Sequence, residues 1–362
     1  MADTATRDQY VLHSTRDTPF PCSSISEVSG GIANATFRGK LDRALEDGTD
    51  SVIIKHAEKE LDKLPDRMMS TARCNTEQSL LRALPQTSVC QVRHGPVTIQ
   101  SPEVYHYLSK ENTQIVQDFP HDCTLHAWLA DPTISHDEKT LIALGEAIGI
   151  WLARFHALSE GEIEPNLADV VRMNSDSSNR DLAAVKMQSV ERQCDDQKVR
   201  RYVKDLLFQR PQNSDVVVHG DFSTRNMLFQ APSSASTSTT EQADSCSLAV
   251  IDWEICCYDD FTRDVGNILA DLYMQNCFTD RDAPLTLLRA FVARYPPLSE
   301  DEVYRTVAHI GENFFHWIAY APKGHPKEQI DQVVDFGKEL IVMGAEGDRK
   351  GIEETLFACL FG

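Results

Sequence analysis

The chain has 362 residues, of which 41% are hydrophobic and 25% are charged, and its formal net charge at pH 7 is -20. This composition is that of an ordinary globular protein with one or two domains, and it excludes a disordered or fibrous chain. The negative charge repels nucleic-acid phosphates and anionic lipids, so we expect neither a nucleic acid nor a membrane as a partner.

The cysteine pattern and the amino-terminal residues indicate a cytoplasmic location. The ten cysteines include no C-x-x-C pair and match no zinc-site spacing. The first residues lack the apolar stretch of a secretory signal, and no segment approaches the roughly 18 uninterrupted apolar residues of a membrane span. We therefore expect free thiols in a reducing compartment.

The amino-terminal part is predicted to be strands and turns around one helix. SVIIKHA (51–57) is a β-branched run that contains Lys55, and TQIVQDFP (113–120) reads as a further strand. Between them, apolar residues at helical spacing predict a helix over residues 66–84 that ends before Pro85.

The carboxyl-terminal part is predicted to be mostly helical. Ser135 and Glu138 form a capping-box pattern before a long amphipathic helix. The Ser/Thr-rich residues 230–247 separate two apolar runs, which indicates a β-hairpin with a long connection. After Asp264 the chain looks helical nearly to its end. We place the boundary of two lobes at residues 119 and 120, which divides the chain into 1–119 and 120–362.

The stretch VVVHGDFSTRN, together with LAVIDWE, predicts a divalent metal site at one end of this hairpin. Asp221, Asn226 and Asp252 would bring three oxygen-bearing side chains together there. Magnesium prefers such oxygen ligands, and a spare carboxylate could accept a proton from an attacking hydroxyl. The alternative is that each residue only forms hydrogen bonds within a turn, as Asp and Asn in loops usually do.

Several motifs occur in the order that is typical of protein-kinase-like enzymes. A Gly-containing turn (SGGIANATF) precedes the strand residue Lys55, and Glu77 follows in a helix. The loop H-x-D-x-x-x-x-N and the strand-terminal Asp252 come next. Each motif alone is weak evidence, whereas the ordered set is strong.

On these motifs the chain resembles the aminoglycoside phosphotransferase and choline kinase superfamily, whose loop H-G-D-x-x-x-x-N appears here as HGDFSTRN and whose D-W-E segment occupies 252–254. Within it the chain is most similar to the methylthioribose kinase-like branch, and in particular to the fungal hydroxytryptamine kinases. The resemblance implies an α+β, bilobal, protein-kinase-like fold with a small antiparallel-sheet N-lobe and a larger helical C-lobe. It also implies ATP and Mg²⁺ as cofactors.

The resemblance also implies roles for individual residues. Asp221 would be the catalytic base, Asn226 and Asp252 would bind Mg²⁺, and Glu254 would be an additional ligand. Lys55, paired with Glu77, would hold the α- and β-phosphates. The remaining nucleotide-binding residues would be Gly30, Gly31 and Asn34 over the phosphates, and Gln117, Asp118 and Phe119 at the adenine.

Supporting and departing residues surround this set. We expect His219, Asp264 and His156 to have structural roles at the loop. Arg225 stands where relatives often have Gly, which tolerates a positive φ that would cost Arg about 1–2 kcal/mol. We interpret Arg225 as a solvated surface residue, with contact to the γ-phosphate or to an acidic substrate as the alternative.

The predicted function is transfer of the γ-phosphoryl group of Mg-ATP to a hydroxyl of a metabolite that carries an amine or a sugar. Asp271, Phe314 and Trp317 are the candidate substrate residues, because Asp271 could pair with an amine and the rings could stack on an aromatic group. The alternative for the rings is the core, where aromatic residues at helical spacing more often lie. One alternative is a non-catalytic nucleotide-binding protein. The other is a protein kinase, which the absence of an A-P-E-like motif after Asp252 disfavours.

Overall fold

Alternating side chains build an antiparallel sheet in the first third of the chain. The computed structural model describes residues 4–28, 34–58, 60–61, 64–68, 70–119, 123–158, 169, 171–172, 174, 178–209, 216–231, 245–318 and 324–362. The elements of this third, in chain order, are α1 (Thr4–Thr15), β1 (Cys22–Glu27), β2 (Asn34–Leu41), β3 (Ser51–Ala57), β4 (Glu60–Leu61), β5 (Leu64–Met68), α2 (Ala72–Ala83), β6 (Gln91–His94), β7 (Val97–Gln100), β8 (Val104–Leu108) and β9 (Thr113–Gln117).

The larger amino-terminal sheet positions Lys55. Its strands run in the order β1-β2-β3-β9-β8, and every neighbouring pair is antiparallel. In β3, Val52 and Ile54 are fully buried in a core with Phe37 and Ile115. Because successive side chains of a strand point to opposite faces, Lys55 lies on the face opposite this core.

Two predictions for the amino-terminal part were wrong. Helix α1 was not expected, because TATRDQYVLHST has little helical periodicity; burial of Val11 in the core of the sheet holds it in place. The helix expected over residues 66–84 begins only at Ala72, since Asp66 belongs to β5, which pairs with β4. The remaining turns of that prediction are confirmed, with Leu80 and Leu81 buried.

The rest of the chain is mostly helical, as predicted. Its elements, in chain order, are β10 (Cys123–Thr124), α3 (Leu125–Ala130), α4 (Glu138–Ala157), α5 (Ser178–Gln193), α6 (Gln197–Phe208), β11 (Val216–Val218), β12 (Met227–Gln230), β13 (Cys246–Val250), β14 (Cys257–Asp259), α7 (Thr262–Thr279), α8 (Ala283–Arg294), α9 (Glu300–Ile318), α10 (Lys327–Glu346) and α11 (Arg349–Glu353).

The expected hairpin is present as the antiparallel pair β12–β13, and most of its predicted connection (232–244) lies outside the described residues. It belongs to a second sheet with the strand order β10-β12-β13-β7-β6, in which β13 runs parallel to β7. Residues 91–100 therefore pair with strands of the other predicted lobe. The boundary at residue 119 stays a prediction, and the β6–β7 hairpin is an exception to it.

Helix α4 is the central helix of the larger core, and its predicted apolar face is confirmed by the burial of Leu144, Ile148 and Trp151. Its predicted cap was wrong. The side chain of Asp137, not Ser135, accepts a hydrogen bond from the Thr140 N–H and begins the helix. In the part of the chain that the structure describes, no helix is long and apolar enough to cross a membrane.

Candidate active site

The HGD loop (residues 219–226) follows β11 and is held by a buried carboxylate on α7. Asp264 accepts hydrogen bonds from the backbone N–H groups of His219, at 2.7 Å, and Gly220, at 2.9 Å. The Nε2 of His156 lies 3.2 Å from the same carboxylate. Gly220 has φ +84°, and a Cβ there would lie 2.7 Å from the carbonyl oxygen of Ile255, so glycine is required.

His219 joins the HGD loop to the end of strand β13. Its Nε2 lies 3.0 Å from the carbonyl oxygen of Ile251, while the N–H of Asp221 donates to its Nδ1 at 3.3 Å. A neutral ring that is protonated at Nε2 satisfies both contacts. The predicted structural role of His219 agrees with this geometry, which brings Asp252, the residue after Ile251, towards Asp221.

Asp221 and Asn226 contact each other within the loop. The amide NH₂ of Asn226 donates to the backbone oxygen of Asp221 at 2.9 Å and to its carboxylate at 2.8 Å. Burial raises the pKa of Asp221, and the negative charge of Asp252 adds to the increase, whereas His219 and Asn226 oppose it. The two carboxylates are therefore close enough to interact.

Asp252 begins the DWE segment (residues 252–254) in a left-handed conformation, with φ 69° and ψ 56°. Such a conformation costs a non-glycine residue about 1–2 kcal/mol. The strain expected at Arg225 is thus found at Asp252 instead, because Arg225 has no positive φ. Burial tends to raise the pKa of Asp252, but the charge of Lys55 and its hydrogen bond outweigh burial, and the net pKa is lowered.

Lys55 connects the two lobes. Its Nζ donates to Glu77 Oε1 at 2.6 Å and to Asp252 Oδ1 at 2.7 Å. The Glu77 carboxylate also accepts from Gln114, at 2.9 Å, and from the Trp253 N–H, at 3.2 Å. The predicted Lys–Glu pair is therefore present, and it faces the end of the hairpin that carries Asp252.

Glu254, which was expected to be an additional metal ligand, is buried and paired differently. Its Oε2 accepts hydrogen bonds from Asn34, at 2.7 Å, and from Arg73, at 3.0 Å. Burial and the negative charge of Asp252 raise the pKa of Glu254 to about 7, while Lys55 and Arg73 act in the opposite direction. These hydrogen bonds reach Oε2 and not Oε1, so the ligand role of Glu254 stays a prediction.

The residues predicted to contact the nucleotide are placed unequally. Gly30 and Gly31 lie outside the described residues, and Asn34 begins β2 beside Glu254. The Asp118 carboxylate is buried and accepts hydrogen bonds from Arg38 and Ser51. Gln117 is paired in the sheet. The side chain of Asp118 is therefore not free to contact adenine, and only the backbone of 118–119 could do so.

Two of the three candidate substrate residues are buried. The Asp271 carboxylate is fully buried and accepts hydrogen bonds from the Thr224 N–H, at 2.9 Å, and the Thr224 hydroxyl. Phe314 is also fully buried and stacks on Tyr273, with 5.2 Å between ring centroids. We therefore withdraw direct substrate contacts for both: Asp271 supports the HGD loop, and Phe314 belongs to the core.

Trp317 is half-buried and lies beside the HGD loop. The guanidinium carbon of Arg225 is 5.1 Å from the centroid of the Trp317 ring, and the Arg225 Nε is 3.5 Å from Asp271 Oδ1. Arg225 is thus held by an aromatic ring and a carboxylate, which corrects its interpretation as a solvated surface side chain. Trp317 remains a candidate for contact with the phosphoryl acceptor.

Comparison with known proteins identifies the family. The sequence profile of the Phosphotransferase enzyme family matches residues 25–302, a range that includes the sheet of Lys55, the HGD loop and the DWE segment. The chain belongs to this family. The predicted resemblance and the predicted enzyme class, a phosphotransferase, are confirmed.

Proteins of similar sequence match this phosphotransferase over nearly its whole length. The phosphotransferase FrzJ of Cladobotryum sp is 29% identical, and the match covers 95% of this chain and 93% of that protein. A 4-hydroxytryptamine kinase of Psilocybe cubensis is 25% identical, with 91% of each chain covered, and one of Psilocybe cyanescens is 24% identical, with 91% of this chain and 90% of that protein covered.

Solved structures share the fold. The GDP and kanamycin complex of APH(2")-IIia has a TM-score of 0.51 and 12% identity, and the match covers 92% of this chain and 98% of that chain. The Plasmodium vivax ethanolamine kinase has a TM-score of 0.50 and 10% identity, with 93% and 87% covered. The predicted bilobal, protein-kinase-like α+β fold is thus confirmed.

The donor atoms at the open end of the β12–β13 hairpin, opposite its connection, fit Mg²⁺. Within the described residues, Asn226 Oδ1 and Asp252 Oδ2 accept no hydrogen bond, and both are hard oxygen donors. No group of three or more His, Cys, Asp or Glu side chains in these residues forms a metal site. The phosphotransferase would therefore hold Mg²⁺ with few protein ligands, leaving the other positions to water and phosphate oxygens, as is usual for this ion.

Arg73, a charged residue of the site, was not predicted from the sequence. Arg73 is fully buried and joins α2 to the DWE segment. It stands four residues before Glu77 in α2, so both side chains lie on the same face of the helix. That spacing was available in the sequence, but an Arg at the start of a helix gives no sign that it is buried.

Proposed function

We propose that this phosphotransferase transfers the γ-phosphoryl group of Mg-ATP to a hydroxyl group of a small molecule, and that the acceptor is a hydroxylated aromatic amine. The observation that carries the first part is the meeting of Lys55 with Asp252, at 2.7 Å, beside the linked pair Asp221 and Asn226. Phosphoryl transfer requires positioning and charge neutralisation, and these side chains supply both.

The site residues would act in the following way. Lys55, oriented by Glu77, would neutralise the α- and β-phosphates. Asn226 and Asp252 would bind Mg²⁺, and the bound ion would neutralise charge on the β- and γ-phosphates. The backbone of residues 118–119 would receive the adenine edge. Asp118 supports this role indirectly, since Arg38 and Ser51 hold its carboxylate.

Asp221 would orient the acceptor hydroxyl and receive its proton. The acceptor oxygen forms a bond to the γ-phosphorus as the bond from that phosphorus to the bridging oxygen breaks, and ADP leaves. The Asn226 NH₂ donates to one carboxylate oxygen of Asp221, and the other oxygen has no donor among the described residues. A carboxylate with one free oxygen is suited to accept the hydroxyl proton.

The second part of the proposal concerns the acceptor. Its main support is the similarity to two proteins named 4-hydroxytryptamine kinase, which match more than nine-tenths of this chain. The net charge of -20 favours a cationic acceptor. Trp317, half-buried beside Arg225 of the HGD loop, offers a ring on which an aromatic acceptor could stack.

Mass spectrometry of a matched acceptor panel tests both parts. The panel contains a hydroxylated tryptamine, the same indole without the amine, tryptamine without the hydroxyl, choline, an aminoglycoside and a hydroxylated sugar. We expect a gain of one phosphoryl group on the hydroxylated tryptamine, dependent on ATP and Mg²⁺, and none on tryptamine. Preference for the hydroxyindole without the amine, for choline or for a sugar would contradict only the proposed identity of the acceptor, not the proposed phosphoryl transfer.

The variant Asp221→Asn separates catalysis from binding. We expect its turnover to fall by at least about a hundredfold, because general-base catalysis contributes about 10²–10⁴-fold. Binding of Mg-ATP, measured by calorimetry, should change little. The control Asp331→Asn alters an exposed carboxylate on α10. Near-normal turnover in Asp221→Asn would refute the assigned base, and binding of ATP by the wild type without turnover on any acceptor would favour the non-catalytic alternative.

A further inference from the structure

A buried arginine provides a second charged connection between the lobes. Arg73 is 0% exposed and donates hydrogen bonds to four other segments. Its partners are Glu254 Oε2 (3.0 Å), the carbonyl oxygen of Ser70 (3.0 Å), Asn34 Oδ1 (3.2 Å) and the carbonyl oxygen of Glu58 (3.2 Å). A guanidinium can satisfy so many acceptors because its five N–H groups form a rigid fork.

Arg73, Asn34 and Glu254 form a closed ring of hydrogen bonds. Glu254 Oε2 accepts from both Asn34 Nδ2, at 2.7 Å, and Arg73 Nε, while Asn34 Oδ1 accepts from the Arg73 Nη2. Each member therefore contacts the other two. Removing Glu254 leaves Asn34 Nδ2 and Arg73 Nε without their acceptor, and removing Arg73 leaves Asn34 Oδ1 without its donor.

The ring joins elements that must be aligned for phosphoryl transfer. Asn34 begins β2 and was predicted, with Gly30 and Gly31, to cover the phosphates, whereas Glu254 is two residues after Asp252 in the DWE segment. Arg73 is on α2, one turn before Glu77. The ring thus lies alongside the contacts of Lys55 with Glu77 and Asp252, but it includes no residue of that set.

Stability alone does not explain a buried charge pair of this kind. Apolar residues of similar volume are often as stabilising as a buried ion pair, because desolvation of both charges offsets their attraction. Hydrogen bonds to a planar guanidinium do, however, restrict the direction of every partner. The geometry of the ring is therefore better suited to fixing relative positions than to raising the free energy of unfolding.

We propose that Arg73, Asn34 and Glu254 form an interlobe latch that sets the position of β2 relative to Asp252, and that Glu254 is a positioning residue rather than a Mg²⁺ ligand. The inference rests on the proposed function, because it assigns the latch to the nucleotide site. It adds Arg73 to the residues of the nucleotide site and changes the predicted roles of Asn34 and Glu254.

A double-mutant cycle with direct binding measurements tests the latch. We compare Arg73→Met, Glu254→Gln and the double variant for ATP binding by calorimetry, with and without Mg²⁺, and for KM and kcat. If the latch exists, each single variant weakens ATP binding about tenfold with and without Mg²⁺, which corresponds to about 1.4 kcal/mol. The double variant should bind ATP at most about twofold more weakly than the single variant with the lower affinity, because both changes remove the same interaction.

A ligand role for Glu254 gives a different pattern. In that case Glu254→Gln raises the Mg²⁺ concentration required for half-maximal binding, Arg73→Met does not, and their effects on ATP binding are additive. Either this pattern or unchanged ATP binding in both variants overturns the latch. If the wild type itself binds no ATP, the proposed function and the latch fail together, whereas normal wild-type binding with unaffected variants removes only the latch.

Two further variants keep the test interpretable if a buried substitution prevents folding. Asn34→Ala removes a half-buried member and leaves the Arg73–Glu254 ion pair intact, so it tests the latch if Arg73→Met does not fold. We expect its KM for ATP to rise at least about threefold with little change in the KM for the acceptor, since one hydrogen bond to a charged partner is worth about 1.5 kcal/mol or more. Lys40 is on the same strand as Asn34 and forms an exposed ion pair with Asp50. The variant Lys40→Met is therefore the control and should behave as the wild type.

Discussion

The variant Asp264→Asn tests how the HGD loop is supported. The carboxylate is fully buried, and each of its oxygens accepts one backbone N–H, from His219 at 2.7 Å and from Gly220 at 2.9 Å. Burial alone would raise the pKa of Asp264, but His156 and the backbone donor at His219 outweigh it and lower the pKa, so the native group is ionised. An asparagine of the same shape has one acceptor oxygen and presents an NH₂ to the second N–H.

The magnitude follows from these contacts. One hydrogen bond to a charged group is lost, at about 1.5–3 kcal/mol, and one buried N–H is left unsatisfied, at about 1–3 kcal/mol. We therefore expect Asp264→Asn to lower the free energy of unfolding by about 3–5 kcal/mol, close to the cost of breaking a buried ionic network. Because the loop carries Asp221, kcat should fall by about ten- to a hundredfold, as it does when catalytic groups are displaced by an ångström or less.

Urea unfolding followed by tryptophan fluorescence measures the stability, since Trp151 and Trp253 are both fully buried. The KM for ATP should stay within about twofold of the wild type, because Lys55 and Glu77 belong to the other lobe and keep their contacts. Asp331→Asn, at an exposed ion pair, should change the free energy of unfolding by less than about 0.5 kcal/mol. A loss below about 1 kcal/mol in Asp264→Asn, together with normal kcat, would refute this account of the loop.

The remaining predictions concern packing. Gly145→Ala should lower the thermal unfolding temperature, because the new Cβ would lie 2.7 Å from the Cβ of Ala290 on α8. The gain of about 1 kcal/mol in helix propensity cannot offset this overlap between two packed helices. An increase in the unfolding temperature would contradict this prediction. Phe314→Ala should reduce the free energy of unfolding by about 3–5 kcal/mol with little change in the KM for the acceptor. Trp317→Ala should raise the KM for an aromatic acceptor at least about fivefold, since stacking contributes about 1 kcal/mol. A raised KM in Phe314→Ala with an unchanged KM in Trp317→Ala would contradict both assignments.

Local patterns in the sequence predicted the parts of the site that depend on short spacing. Asp221 and Asn226 are five positions apart in one loop, and the two side chains contact each other there. The β-branched run that contains Lys55 predicted its strand, whereas the face on which the lysine lies is known only from the burial pattern of the structure. The amphipathic helix α4 followed from its 3.6-residue period, although its first residue did not, since Asp137 and Ser135 are both good caps.

Contacts between residues far apart in the chain could not be predicted in this way. Arg73 and Glu254 are 181 positions apart, and only the packing of α2 against the DWE segment brings them together. In the same way the sequence offered Asp271 and Phe314 as candidates for substrate contact, but both are fully buried in the structure. The sequence by itself determined the order of the motifs and the period of each element, because these depend on neighbouring residues. The tertiary structure decided which charges are paired and which side chains are buried, because desolvation depends on what the rest of the chain places around a group.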